Sequence, residues 1–199
     1  MTYEMFLALI GFAVVSSITP GPNNLMLLAS GANFGFKRTL PHMFGISIGH
    51  SVMVFLVGVG IKQVFDLYPV TYTVLKVGSV VYLLYLAFKI ASNRTPPNQM
   101  NGRAKPFTFL QAAGFQWVNP KAWAMALTAL GVYAPPSPTI AQIGMVAGAF
   151  ALVNFPSITT WVVLGQQMSR FLHTPKRLMV FNVTAGLLLV ATLYPILWP

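Results

Sequence analysis

Two short strings in this chain have residue types and spacing that could do chemistry: Thr19-Pro20-Gly21-Pro22-Asn23-Asn24 and Asn119-Pro120-Lys121. Each interrupts an apolar run with proline and amide side chains. Proline suits the first turn of a helix and spoils its interior, so each string predicts a break followed by a restart. A restarted helix presents unsatisfied N–H groups and a positive dipole end, and such ends attract anions. Asn23, Asn24 and Asn119 add amide donors and acceptors, and Lys121 adds a full positive charge. The expected chemistry is non-covalent capture of a small anion such as a carboxylate. The rival reading is a pair of kinks whose freed backbone groups are satisfied by neighbouring helices.

Lys121 sharpens the choice. A charge at the centre of a membrane helix costs about 2.5–3.5 kcal/mol on insertion scales. The acidic residues are Glu4 and Asp66, both near segment ends, so no mid-segment carboxylate can pair with it. Its partner is water, backbone carbonyls or a substrate anion, and the last is favoured. His50 could relay protons, or it could be a hydrogen-bonded packing residue. Lys76 could line a pathway, or snorkel to an interface. Asn154 and Gln116 suit interhelical hydrogen bonds as well as substrate contact. Gly45 with Gly49, and Gly144 with Gly148, have the spacing of close helix packing. Trp117, Trp123, Trp161 and Trp198 suit packing or interfacial anchoring.

The elements that must position these residues follow from hydropathy. The chain is 56% hydrophobic and 7% charged, with a mean hydropathy of +0.69, against about 25% charged in soluble domains. This predicts an all-α membrane protein: a single transmembrane domain over 1–199, in contact with the lipid bilayer. A span needs roughly 20 apolar residues. Six segments meet that need, at about 4–34, 41–61, 68–90, 108–133, 140–166 and 177–197, with segments one and four broken. The N-terminus lacks a basic leader, so the first segment reads as a span, not a cleaved signal.

Lys37 and Arg38, then Lys89, Arg94, Arg103 and Lys105, then Arg170, Lys176 and Arg177 all fall on one side of that topology. The other side has Glu4, Lys62 and Asp66. The positive-inside rule puts the basic loops in the cytoplasm and both termini outside it. Basic residues so placed are orientation signals and not a nucleic-acid face. The proline of each break, Pro20 and Pro120, and the two glycine pairs recur about a hundred residues apart. This suggests two inverted three-helix repeats, about 4–90 and 108–199, joined by a polar loop at about 91–107.

Several classes are excluded. There is no nucleotide-binding phosphate loop, no metal-ligand cluster and no nucleophile constellation. Cysteine is absent, which removes disulfide and thiolate chemistry. The chain therefore reads as no enzyme, with no catalytic residue, no metal and no cofactor. Uphill transport would draw on an ion gradient.

Four stretches resemble the LysE/RhtB family of bacterial amino-acid exporters: Thr19-Pro20-Gly21-Pro22-Asn23, Gly31 to Arg38, Leu75-Lys76-x-Gly78 with Tyr82-Leu83, and Asn119-Pro120-Lys121-Ala122. The first is similar to that of the cysteine and O-acetylserine exporters. The resemblance implies a secondary exporter of small amino acids or derivatives, in the bacterial inner membrane and driven by protons. It places substrate binding at Thr19, Pro20, Gly21, Pro22, Asn23, Asn119, Pro120 and Lys121, and less firmly involves Lys76. Asn24 joins that set from its position, and His50 and Asn154 are further pathway or relay candidates. The alternative is a passive channel for small polar solutes. A homo-oligomer is compatible with either. Pro156 and the stretch 195–199 match nothing in the family pattern.

Overall fold

Threonine and proline set most helix starts in this chain. Thr2 accepts from the Met5 amide and opens α1 (Tyr3–Ile18). Pro22, in the first turn, opens α2 (Pro22–Leu56). The short α3 (Lys62–Leu67) and the long α4 (Val70–Ala91) follow. Thr108 and Gln111 form a capping box at α5 (Phe109–Phe115). Asn119 caps α6 (Pro120–Tyr133), which again begins on proline. Thr139 and Gln142 make the same box at α7 (Ile140–Met168), and Thr174 caps α8 (Pro175–Ala191). The computed structural model describes residues 1–93, 105–135 and 137–194, and these include no strand. The predicted loop positions 94–104 and the stretch 195–199 lie outside the described residues.

The predicted segments fall on these helices. The first is α1 plus 22–34 of α2, with its break at Thr19 to Gly21. The fourth is α5, a 3-10 turn at Gln116–Val118, and α6. One boundary differs. The sequence suggests a loop near 35–40, yet the chain stays helical on both sides of Gly35. Gly35 makes the turn alone, with φ 77°, a conformation open to glycine because it lacks a Cβ. Lys37 and Arg38 therefore lie on helix. Beyond 56, α2 widens into a π turn at Val57–Ile61, where Gly60 has φ 122°.

Packing centres on α2 and α7. Gly31 faces the Val162 carbonyl and Gly165 faces the Leu28 carbonyl, with no room for a Cβ at either. The backbones approach closely because these residues are small. The second half of α2 packs on α5: a Cβ on Gly45 would lie 2.7 Å from the Ala112 Cβ, and one on Gly49 would lie 2.6 Å from the Ala113 Cα. In turn α1 packs on α7, where Leu9, Ala13, Phe150 and Val153 share a buried cluster. α4 pairs with α8 through Leu83, Leu86, Ala87 and Leu189. Asn182 of α8 is fully buried and ties Asn33 to the Asn93 carbonyl. Gly144 and Gly148, expected to allow close packing, have no neighbour within 4 Å of a would-be Cβ. They lie on the wrong face of α7, and Gly165 makes that helix's close approach.

The outer surface is apolar. On α4, Val70, Val74, Val77, Val81, Leu84 and Phe88 form an exposed stripe at helical spacing. Among the described residues, Pro22–Ile61, Val70–Ala91 and Ile140–Phe171 are long and apolar enough to cross a membrane. α1 is apolar but shorter. A surface of this kind suits lipid and would be unstable in water.

Candidate functional site

The last turn of α1 would leave carbonyls without intrahelical donors. Each acceptor from Val15 to Pro20 has a donor. The Thr19 amide takes Val15 O at 3.1 Å, and the Thr19 hydroxyl takes Ser16 O at 3.0 Å. Asn24 Nδ2 donates to Ser17 O at 2.8 Å and to Thr19 O at 2.7 Å. Trp161 Nε1, from α7, donates to Ile18 O at 3.0 Å. Lys121 Nζ, from α6, donates to Thr19 O at 2.6 Å, Thr19 Oγ1 at 2.9 Å and Pro20 O at 3.3 Å. The lysine charge thus sits at the negative end of α1, where the helix dipole favours it.

The second break is closed in a related way. Asn119 Oδ1 accepts from the Lys121 amide at 3.2 Å. Trp123 Nε1 donates to Trp117 O at 2.8 Å, and the Trp123 amide donates to Asn119 O at 3.2 Å. The two breaks are also joined directly. Asn23 Nδ2 donates to Gln116 Oε1 at 2.8 Å, and Gln116 Nε2 returns a bond to Asn23 Oδ1 at 3.2 Å.

A cavity lies where the breaks meet. Ser17, Gly21, Asn23, Asn24, Asn119 and Lys121 line one part of it, and His50, Asn154, Met125 and Ile158 the other. His50 is buried, with Nε2 3.4 Å from the Ala122 carbonyl and Nδ1 3.5 Å from Asn154 Nδ2. Ser17 Oγ is buried and has no hydrogen-bond partner among the described residues. Lys121 is the only charged residue among those lining the cavity. Gly21 is fully extended, a conformation any residue adopts, but a Cβ there would lie 2.6 Å from Lys121 Cδ. It is small because the lysine stem crosses it. The free space is about 20 Å³, room for about one water. The site is largely filled by its own lysine.

Of the sequence candidates, Gly21, Asn23, Asn24, Asn119, Lys121, His50 and Asn154 line this cavity, and Thr19 and Pro20 accept from Lys121 without lining it. Pro22 and Pro120 start the two half-helices. Lys76 is exposed on α4 and lines neither this cavity nor the larger one described below. Sequence reasoning did not foresee Ser16 as a lining residue, nor the pairing of Gln116 with Asn23. It read Trp161 and Trp123 as packing or anchoring, yet both donate to break carbonyls. Ser16, Gln116 and Trp123 had position as their available signal, each within a few places of a break, whereas Trp161 lies far from both.

An all-α chain with apolar outer faces, folded around a buried polar centre where two broken segments meet, is a helical membrane protein of the translocator class. It belongs to the LysE type translocators, whose family model matches residues 6–192. The chain is 30% identical over 194 residues to the cysteine/O-acetylserine efflux protein of Salmonella typhimurium (strain LT2), covering 96% of each chain. The protein of that name from Escherichia coli (strain K12) is 27% identical over 193 residues, again with 96% of each covered. No solved structure matches the chain.

Proposed function

We propose that this protein is a secondary exporter of small amino acids across the bacterial cytoplasmic membrane, with cysteine and O-acetylserine as first candidates. The observation that carries the reading is the convergence of both breaks on Lys121 in one small polar cavity. The family match and the names of the relatives support the substrate class. In the unloaded site the ammonium rests on the carbonyls of Thr19 and Pro20. A substrate carboxylate entering the cavity offers a stronger, charge-assisted partner and draws the ammonium away from them. Asn23 and Asn119 then supply amide contacts, and the two half-helix starts supply a positive field.

Six spans in two inverted repeats are the architecture that fits this site. α1 packs on α7 as α5 packs on the second half of α2, and α4 pairs with α8. That exchange of partners supports alternating access by rocking of one repeat on the other. A site with room for one water favours such a carrier over a passive channel. Proton coupling would run through His50, which touches both Asn154 and the start of α6. The basic loops would face the cytoplasm and both termini the other side.

The test is uptake of labelled L-cysteine or O-acetyl-L-serine into everted membrane vesicles. Saturable, counterflow-competent uptake that is lost in Lys121→Met and Asn23→Ala is expected. Linear flux without counterflow, or full retention by both variants, rejects the reading.

A further inference from the structure

A second and larger cavity, of about 570 Å³, lies between the first half of α2, the end of α4 and the residues leading into α5. Its size is within the range of small-molecule sites. Its described lining includes Lys89 and Lys105 and no carboxylate, and its walls carry Phe34, Tyr85, Phe88 and Phe107. The Lys89 ammonium stands 5.3 Å from the Phe107 ring centre and 6.0 Å from that of Tyr85. Behind Phe107, at 5.2 Å between ring centres, lies His42. His42 is 1% exposed, and neither of its ring nitrogens has a hydrogen-bond partner among the described residues. A buried imidazole left unpaired is costly unless something else uses it.

This cavity shares no lining residue with the central site. His42 and His50 are two turns apart on α2, roughly 12 Å along the axis. Between them the buried cluster of Leu27, Met43, Ile46 and Ile158 forms an apolar layer. Ile46 and Ile158 of that cluster line the central cavity, and His42, one place before its Met43, lines the larger one.

We infer that the larger cavity is a capture site for the amino-acid carboxylate on the side facing the cytoplasm, with Lys89 and Lys105 as counter-charges and His42 as a polar floor behind Phe107. This rests on the exporter reading. The aromatic face of Tyr85 suits the ammonium of a zwitterion, and the lysines suit its carboxylate. The substrate would be held here before the apolar layer opens toward Lys121. The Lys89 and Lys105 side chains lie outside the central site, so they act on capture and not on translocation.

The experiment compares the wild type with the Lys89→Met/Lys105→Met double variant, using labelled L-cysteine under reducing conditions. In everted vesicles, which present the cytoplasmic face, KM rises about 5- to 20-fold with Vmax nearly unchanged, the signature of lost ground-state binding. In right-side-out vesicles the KM for counterflow stays at the wild-type value, which also shows that the variant is folded. An unchanged KM at the cytoplasmic face overturns the inference and leaves the exporter reading intact. An equal rise at both faces also overturns it, because that is a structural effect. The comparison is repeated in proteoliposomes of phosphatidylcholine alone. If the difference vanishes there, the lysines hold an anionic lipid headgroup and the inference falls. If the wild type shows no saturable uptake at all, the exporter reading fails and takes the inference with it.

Discussion

The ammonium of Lys121 lies 2.6 Å from the carbonyl oxygen of Thr19, joining residues 102 positions apart. One side chain from the second break thus completes the hydrogen bonding of the first. In the proposed exporter Lys121 is both the charge offered to a substrate and part of the scaffold that holds the site.

Replacing Lys121 separates those roles. A hydrogen bond to a charged group contributes about 1.5–3 kcal/mol, so Lys121→Met should lower export about 10- to 100-fold. Lys121→Arg should restore little, because the larger guanidinium must cross the same tight space over Gly21. Export by everted vesicles, normalised to inserted protein, measures both.

Gly21→Ala places a methyl group 2.6 Å from Lys121 Cδ. The lysine stem must swing away and lose its bonds to Thr19. We expect an export loss that is not additive with Lys121→Met, because both changes remove the same contact. A double-mutant cycle on export rate checks it. Additive losses would show that Gly21 acts on something else.

The glycines of α7 should respond in opposite ways. Gly165→Ala drives a Cβ into the Leu28 carbonyl, whereas Gly148→Ala meets open space. Overpacking of this kind costs about 1–3 kcal/mol. Thermal unfolding in detergent should shift down by several degrees for the first, about 2–4 °C per kcal/mol in a chain of this size. It should stay unchanged for the second.

His50→Gln keeps a polar side chain near Asn154 and the Ala122 carbonyl but cannot carry a proton. Proton transfer through a positioned side chain contributes about 100-fold or more. Accumulation driven by a pH gradient should therefore fall at least about 10-fold, while counterflow, which needs no net proton movement, persists. Loss of both would make His50 a packing residue, and retention of both would route the proton elsewhere.

The two breaks were legible because proline and clustered amides are rare inside apolar runs. Thr19 to Asn24 and Asn119 to Lys121 announced themselves in the sequence, and so did the helix starts at Thr108 and Thr139. Backbone carbonyls were one of three partners open to Lys121 in the sequence, but that they are those of Thr19 and Pro20 was not legible, since carbonyls leave no mark in a sequence. The glycine pairs show the same limit. Gly45 with Gly49 and Gly144 with Gly148 have identical spacing, yet only the first pair faces a neighbour. Spacing places residues on one face of a helix without saying which face is covered. His42 drew no notice because its meaning depends on Phe107 and Lys89, which lie far away in the chain.

The closure of the first break also has a consequence for how the protein is made. Two of the donors to its carbonyls, Lys121 and Trp161, are synthesised long after α1 has left the ribosome. Until they arrive, Ile18 O and Pro20 O need water or the insertion machinery as donors, because each would cost several kcal/mol if left unsatisfied in lipid. The first segment should therefore settle to its final depth only after α7 is in place. A chain truncated before residue 121 should leave its N-terminal segment shallow and open to labelling from the aqueous phase.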